Sequence, residues 1–259
     1  MENKLDKIKK EMPHLLDEAQ TAKDVLEKIN LGEHQTQVAL CLDISGTMHH
    51  LYTSGQIQEF AEKILALGSR FDSNAVIDVF LFGDRAYHVG EMNTQNFHDF
   101  VMNAKKDYQS AGGTFYGKAI ELVRNFYFPH EGKGERTEIV KTKEPVYVMF
   151  LTDGTTVDEE ETVQQLCYAS YEPIFWQFMA IGKGKDDFKG GFWDWLNKPF
   201  AEDFSFLKKL DTMGNRCIDN ANFFNVISPL NLDDKKLYQS MLQEYPEWIA
   251  KAKEKEMFK

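Results

Sequence analysis

The stretch Val38-Ala-Leu-Cys-Leu-Asp43-Ile-Ser-Gly-Thr47 joins a short apolar run to a polar turn. An apolar run without polar alternation predicts a strand that is covered on both faces, as in a parallel sheet. Asp43, Ser45 and Thr47 follow at alternate positions, so the turn can bring one carboxylate and two hydroxyls to one point. The stretch therefore predicts a buried strand that ends in a polar site.

Similar apolar runs recur along the chain and alternate with amphipathic segments of helical periodicity. The predicted strands lie at 76–82, 146–151 and 174–181, with a short edge strand at 87–89 and a further strand near 217–218. The predicted helices lie at about 53–70, 94–105, 115–127, 158–170 and 233–254. This alternation predicts an α/β fold of three layers, with a doubly wound, mostly parallel sheet in the Rossmann-like manner.

The first 30 residues are rich in Lys and Glu, and their apolar positions recur every three or four residues. This spacing predicts helices, which Pro13 should split in two because proline disfavours a helix interior. We expect a helical extension over 1–33 and a main domain over 34–259. The extension is interpreted as helices packed on the main domain, or alternatively as an arm that docks on a partner.

Composition excludes several classes of protein. The 259 residues are 42% hydrophobic and carry a net charge of -11, so neither nucleic acid nor an anionic membrane is an expected partner. The chain has three cysteines, far apart and in no Cys-x-x-Cys spacing, so neither a disulfide framework nor a zinc site can be built from cysteine alone. No apolar run reaches the roughly 20 residues of a membrane span and no signal-peptide pattern begins the sequence, so we expect a cytoplasmic protein.

Two further segments are expected at the same sheet edge as Asp43. Thr152-Asp153-Gly154 follows a predicted strand, and Gly112-Gly-Thr114 precedes a predicted helix. Ligands of doubly wound sheets bind at the carboxyl ends of the strands, so a second carboxylate and another hydroxyl should join the first group. All these donors are oxygens, a set that suits Mg²⁺ or Mn²⁺ with waters completing the coordination.

The pattern Asp43-x-Ser45-x-Thr47, together with Thr114 and Asp153, resembles the three-part metal-ion-dependent adhesion site of von Willebrand factor A (vWA) domains. Thr47 replaces the usual second serine and keeps the hydroxyl. The resemblance implies that these five residues form a site for Mg²⁺, or for Mn²⁺ or Ca²⁺. It also implies that an acidic side chain of another protein completes the coordination of the metal.

The resemblance extends from about residue 37 to the C-terminus and is specific to the vWA domain of tellurium-resistance (Ter) proteins. The segments that carry it are Pro173-Ile-Phe-Trp-Gln-Phe178, Gly182-Lys-Gly184, Asp219-Asn-Ala-Asn-Phe-Phe224 and Tyr245-Pro-Glu-Trp248. The family implies a protein-binding module without enzymatic activity, associated with a bacterial stress response or tellurium resistance.

The alternative function is a Mg²⁺-dependent phosphatase or related hydrolase, because the first motif also resembles the Asp-x-Asp-Gly-Thr signature of haloacid-dehalogenase phosphatases. Ser45 stands where that family has a carboxylate and cannot serve as its acid or base. The segment 112–118 fits a phosphate-binding loop, but Ala119 replaces the hydroxyl residue that would hold Mg²⁺. His49 and His50 have no accompanying nucleophile and are expected to line the site or to begin the next helix.

Two other segments have competing interpretations. The acidic residues 158–161 resemble a metal cluster, but the first turn of a helix also favours negative charge, and this second interpretation is preferred. The segment 185–204 carries Trp193 and Trp195. These tryptophans are interpreted either as a second contact surface beside the site or as aromatics folded back onto the domain.

Overall fold

A single mixed sheet organises the chain in this computed structural model, which describes residues 4–71, 75–108, 110, 112–182, 184, 203–228, 230 and 232–259. The strands are β1 (Gln37–Asp43), β2 (Val76–Phe82), β3 (Ala86–Asn93), β4 (Val146–Thr152), β5 (Ile174–Ile181) and β6 (Ala221–Val226). Their order is β3-β2-β1-β4-β5-β6. All neighbours are parallel except β2 and β3, which form an antiparallel pair. The predicted mostly parallel sheet is thus confirmed.

Helices cover both faces of the sheet. Those within the described residues are α1 (Lys4–Glu11), α2 (Leu16–Lys28), α3 (His49–Thr53), α4 (Gln56–Phe71), α5 (Phe100–Asp107), α6 (Tyr116–Tyr127), α7 (Glu159–Ala169), α8 (Ser205–Thr212), α9 (Asp234–Met241) and α10 (Tyr245–Glu254). Leu40 and Leu42 of β1 pack in the core that contains α2, α4 and α9. Ala39 and Cys41 point the other way, into the core with α6, α7 and α8. This alternation across a strand produces the three layers.

The N-terminal helices are part of the first of these cores. Ile8, Ala19 and Leu26 are buried in the same apolar cluster as residues of β1 and α4. Pro13 begins a short 3-10 turn between α1 and α2, which confirms the predicted break. The division into an extension over 1–33 and a domain over 34–259 stays a prediction.

Two predicted elements differ from the structure. The strand predicted near 217–218 is wrong, because β6 begins at Ala221 and the backbone N–H of Cys217 donates instead to Ser170 Oγ, at 2.8 Å. The helix predicted over 233–254 is two helices. The first of them, α9, ends at Met241. Pro246 lies in the first turn of α10, where its missing N–H costs no helical hydrogen bond.

Trp193 and Trp195 lie outside the described residues, as does most of the segment 185–204. Within the described ranges, no helix combines the length and the apolar character needed to cross a membrane.

Candidate metal centre

The candidate site lies at the carboxyl ends of β1 and β4, two parallel neighbours. The chain leaves β1 toward β2 on one side of this pair and leaves β4 toward β5 on the other side. A crevice forms at such a reversal of strand order. Leu42 pairs with Leu151 in the sheet register, so Asp43 and Thr152 are the next residues on the two strands. Ser45 and Thr47 follow the first strand, and Asp153 follows the second.

Asp43 forms the floor of this crevice. It is 1% exposed, and both oxygens of its carboxylate accept hydrogen bonds. Oδ1 accepts from the backbone N–H of Ser45 at 2.7 Å, and Oδ2 accepts from the hydroxyl of Thr152 at 2.7 Å. The hydroxyl of Tyr52 donates to the Asp43 carbonyl at 3.0 Å. The carboxylate is therefore held in one orientation below the turn that it starts.

Ser45, Thr47 and Asp153 lie above Asp43, closer to solvent. The hydroxyls of Ser45 and Thr47 are 3.1 Å apart, and Thr47 Oγ1 donates to Asp153 Oδ1 at 3.0 Å. Thr47 is exposed, while Ser45 and Asp153 are half-buried. The structure thus brings one carboxylate and two hydroxyls from two loops into contact at an accessible point.

The third loop, which contains Thr114, lies next to this group. The Thr114 carbonyl accepts hydrogen bonds from Thr156 Oγ1 at 2.9 Å and from the backbone N–H of Val157 at 3.0 Å, so the loop rests on the segment that follows β4. Within the described chain, the Thr114 hydroxyl makes no hydrogen bond, and Phe115 rather than Thr114 occupies the N-cap of α6. A helix-capping role therefore does not explain this hydroxyl, which the structure leaves unconnected to the other predicted ligands.

The two carboxylates of the site are held in a partly or fully buried environment. Burial raises the pKa of the Asp43 carboxyl from its ordinary 3.8 to about 6, although hydrogen bonds from Ser45 and Thr152 oppose the shift. Burial also raises the pKa of Asp153, against the hydrogen bond from Thr47. Neither carboxylate forms a salt bridge with any described residue, and no three His, Cys, Asp or Glu side chains of the described ranges form a metal cluster. A cation here would thus rely on hydroxyls and water besides the two carboxylates.

Three supporting residues were not among the predicted ligands. Thr152 is fully buried and joins Asp43 to Tyr116, whose hydroxyl lies 2.8 Å from Thr152 Oγ1. Tyr116 also donates to the carbonyl of Gly154 at 2.5 Å. Together with Tyr52, these residues fix the two strand ends relative to each other. In the sequence, these residues stand out only as polar groups near the ends of helices and strands. That feature is common in proteins and does not indicate a metal site.

The flanking residues behave as structural groups. His49 begins α3, as predicted, and the ring of His50 contacts the Thr47 carbonyl through Nδ1 at 2.9 Å. Asp158 is the N-cap residue of α7, but its carboxylate caps the neighbouring helix α6 by accepting from the Lys118 N–H at 3.3 Å. Glu161 pairs with Lys133. The segment 158–161 therefore forms the start of α7, as predicted, but the predicted capping of that helix is wrong, because Asp158 makes no side-chain cap hydrogen bond to α7.

Comparison with known proteins identifies relatives along most of the sequence. A family model described as the vWA domain found in the TerF C terminus matches residues 35–258. The uncharacterized protein YcbR of Bacillus subtilis (strain 168) is 29% identical over 247 residues, which are 91% of this chain and 86% of that protein. The match to the family model covers the sheet and every residue of the candidate site.

Solved structures of low sequence identity are also similar. The ArnB paralog VWA2 from Sulfolobus acidocaldarius has a TM-score of 0.45 and 12% identity, and the match covers 82% of this chain and 45% of that one. Proximal thread matrix protein 1 from the mussel byssus, with a zinc occupied MIDAS motif, has a TM-score of 0.45 and 17% identity, over 85% and 50% of the two chains. This chain therefore spans about half the length of both.

Proposed function

Since the chain belongs to the family of vWA domains found in the TerF C terminus, we propose that it is a divalent-metal-dependent protein-binding module of the adhesion-site type. The meeting of Ser45, Thr47 and Asp153 above the buried Asp43 carries this proposal. The family description supports a place in a bacterial tellurium-resistance or stress system. The cytoplasm is the proposed location.

The donor set fits a hard divalent cation. Ser45, Thr47 and Asp153 would hold the ion directly, Asp43 would act through its remaining lone pairs or through water, and Thr114 would supply the third loop's hydroxyl. Oxygen donors with no nitrogen or sulfur suit Mg²⁺, Mn²⁺ or Ca²⁺. Burial raises the pKa of Asp43, and neither Asp43 nor Asp153 forms a salt bridge with a described residue, so a bound cation would stabilise both carboxylates in their charged form.

The partner would be another protein that offers an acidic side chain. Two carboxylates only balance a divalent ion, so the bound metal would supply an electrophilic position that attracts a further carboxylate. The exposure of Thr47 leaves that position open to a macromolecule. With a net charge of -11, the chain offers no general attraction for nucleic acid or membrane.

Affinity capture from a native host tests this function. We expect the immobilised wild-type protein to retain specific proteins in Mg²⁺ and to release them in EDTA. Asp153→Asn should not retain them in either buffer, because it removes a charged ligand. Asp24→Asn, the same change at an exposed position of α2, is the control and should behave as wild type. Retention that survives EDTA and Asp153→Asn would contradict the proposal.

The burial of Asp43 weighs against the phosphatase or hydrolase alternative. A nucleophilic aspartate must reach its substrate, whereas Asp43 is 1% exposed and both oxygens already accept hydrogen bonds. Incubation with p-nitrophenyl phosphate and Mg²⁺ separates the two functions. We expect no turnover above a protein-free control, and turnover abolished by Asp43→Asn would establish the enzyme instead.

Thr114→Ala is expected to weaken metal binding and to leave stability nearly unchanged, because the hydroxyl makes no hydrogen bond within the described chain. Thr156→Ala is the contrasting variant. The Thr156 hydroxyl is buried, donates to the Thr114 carbonyl and accepts from the Tyr116 N–H at 3.1 Å, so its loss should cost about 1 to 3 kcal/mol. Thermal unfolding and Mn²⁺ titration measure both effects. If Thr114→Ala unfolds much earlier and binds metal normally, Thr114 is a structural residue.

A further inference from the structure

A cavity of about 420 Å³ opens directly beside the candidate metal centre. Ser45 forms part of its wall and belongs at the same time to the proposed metal ligands. Helix α5 contributes Met102, Lys105 and Lys106 to the lining, and α3 contributes Tyr52. A ligand that reaches the metal centre would therefore lie next to this cavity.

Lys105 places a positive charge at this cavity. Its ammonium group lies 3.4 Å from the carbonyl of Ile44, the residue between Asp43 and Ser45. It also lies 5.7 Å from the centre of the Tyr52 ring. Both contacted groups are uncharged. The buried carboxylate of Asp43 also acts on Lys105 electrostatically, but Lys105 forms no salt bridge with any residue that the structure describes. Of the three N–H donors of an ammonium group, one is engaged by Ile44, so two remain for a ligand.

The charge of the cavity is opposite to that of the chain. The chain carries 41 acidic and 30 basic residues, yet none of the described residues that line the cavity is acidic. Lys106, the exposed neighbour of Lys105, adds a second ammonium group, which contacts Asn103 Oδ1 at 2.9 Å. An anionic group is thus the charged ligand that this surface favours. Met102 and Tyr52 leave room for an apolar stem beside it.

We propose that the partner presents two acidic side chains, one at the metal centre and a second in this cavity, paired with Lys105. This inference rests on the proposed function, because it needs the first carboxylate at the metal. The second contact would favour segments in which two acidic side chains have a particular spacing. Single carboxylates, which are common on protein surfaces, would bind less tightly. The partner is then an acidic peptide segment of another protein.

Short synthetic peptides test this proposal. The probes are acetylated and amidated Glu-Ala-Glu and Glu-Ala-Ala-Glu, each compared with versions in which either glutamate is glutamine. Binding to the full chain is measured by calorimetry in Mg²⁺ and in EDTA. In Mg²⁺ we expect the better of the two-glutamate peptides to bind about tenfold more tightly than its one-glutamate versions, the effect of one charge-assisted hydrogen bond.

Variants of Lys105 identify the group responsible. In Lys105→Gln the advantage of the second glutamate should disappear, while Mg²⁺-dependent binding of the one-glutamate peptides should persist. Lys105→Arg keeps the charge and should keep most of the advantage. Lys255→Gln is the control and removes the same charge from an exposed lysine near the end of the sequence. The neighbouring Met257 carbonyl accepts a hydrogen bond from the Thr142 N–H, shortly before β4 begins. This control lies at the opposite end of the sheet and should leave the advantage intact.

The outcomes separate this inference from the function on which it rests. If one-glutamate peptides bind in a metal-dependent way but a second glutamate adds nothing, or if its advantage survives Lys105→Gln, the inference is wrong and the metal-dependent function stands. If no peptide shows metal-dependent binding, both are wrong. Loss of the advantage in Lys255→Gln as well would show a general charge effect and would also overturn the role of Lys105.

Discussion

Replacing Asp43 by asparagine is expected to stabilise the metal-free protein at neutral pH and to weaken its binding of divalent cations. Asparagine can keep both hydrogen bonds of the site, since Oδ1 can accept from the Ser45 N–H and the amide can donate to the Thr152 hydroxyl. What the substitution removes is a buried negative charge that forms no salt bridge with any described residue. A residue that lowers stability in this way is typical of a functional site.

The sign and size of this effect follow from the pKa of Asp43. A carboxyl group whose pKa is higher in the folded than in the unfolded chain favours folding at low pH, and this stability is lost as the pH rises. For Asp43 the loss occurs between its ordinary 3.8 and about 6. Asp43→Asn should therefore add about 3 kcal/mol of stability above that range and little at about pH 4.

Urea unfolding in EDTA at neutral pH and at about pH 4 measures this prediction. The wild-type protein should gain stability on acidification relative to Asp43→Asn, so that the difference between the two shrinks. Asp24→Asn, at an exposed site of α2, should show no such difference. An Asp43→Asn variant that is less stable than the wild-type protein at neutral pH would show that the carboxylate serves structure rather than metal binding.

Glu172→Gln is expected to destabilise the fold strongly. The side chains of Arg124 and Glu172 are fully buried and form a two-point ion pair, with Arg124 Nε and Nη2 lying 2.8 and 2.9 Å from the carboxylate oxygens. Arg136 donates to the same carboxylate at 2.9 Å, and Gln165 bonds to Arg124. This network ties α6, α7 and the segment before β4 together, behind the loops that hold Thr114 and Asp153.

A neutral amide would leave the Arg124 charge buried without its partner, which costs about 3 to 5 kcal/mol. In a chain of this size the midpoint of thermal unfolding should fall by about 10 °C. Glu247→Gln, which breaks the exposed pair with Lys251 on α10, is the matched control and should change the midpoint little. Equal midpoints for Glu172→Gln and the control would show that the buried pair contributes nothing to stability.

The central strands could be predicted from the sequence because each is a continuous apolar run. β6 could not, since Asn222 and Asn225 interrupt its pattern. The amide of Asn222 is satisfied by Gln177 Oε1 on β5, at 3.1 Å, and such a partner is visible only once the strands are paired. A polar residue in a strand therefore lowers the strand signal even when the fold satisfies it.

The candidate site could also be predicted only in part. Asp43, Ser45 and Thr47 are neighbours in sequence, and Asp153 follows a strand end, so their convergence could be predicted. The hydrogen bond from Thr152 to Asp43 joins residues that are 109 positions apart, and Lys105 reaches Ile44 from a separate helix. Which polar side chain supports or flanks a site depends on helix packing, which periodicity alone does not determine.

Titration of the metal-free protein with Mn²⁺ tests the proposed metal centre most directly. Electron paramagnetic resonance measures the concentration of free Mn²⁺ during the titration. We predict that the wild-type protein binds a single ion, that Mg²⁺ displaces it, and that Asp153→Asn abolishes this binding while Asp24→Asn preserves it. Wild-type protein that binds no Mn²⁺, or Asp153→Asn protein that binds it as well as wild type, would contradict a metal centre formed by Ser45, Thr47 and Asp153 above Asp43.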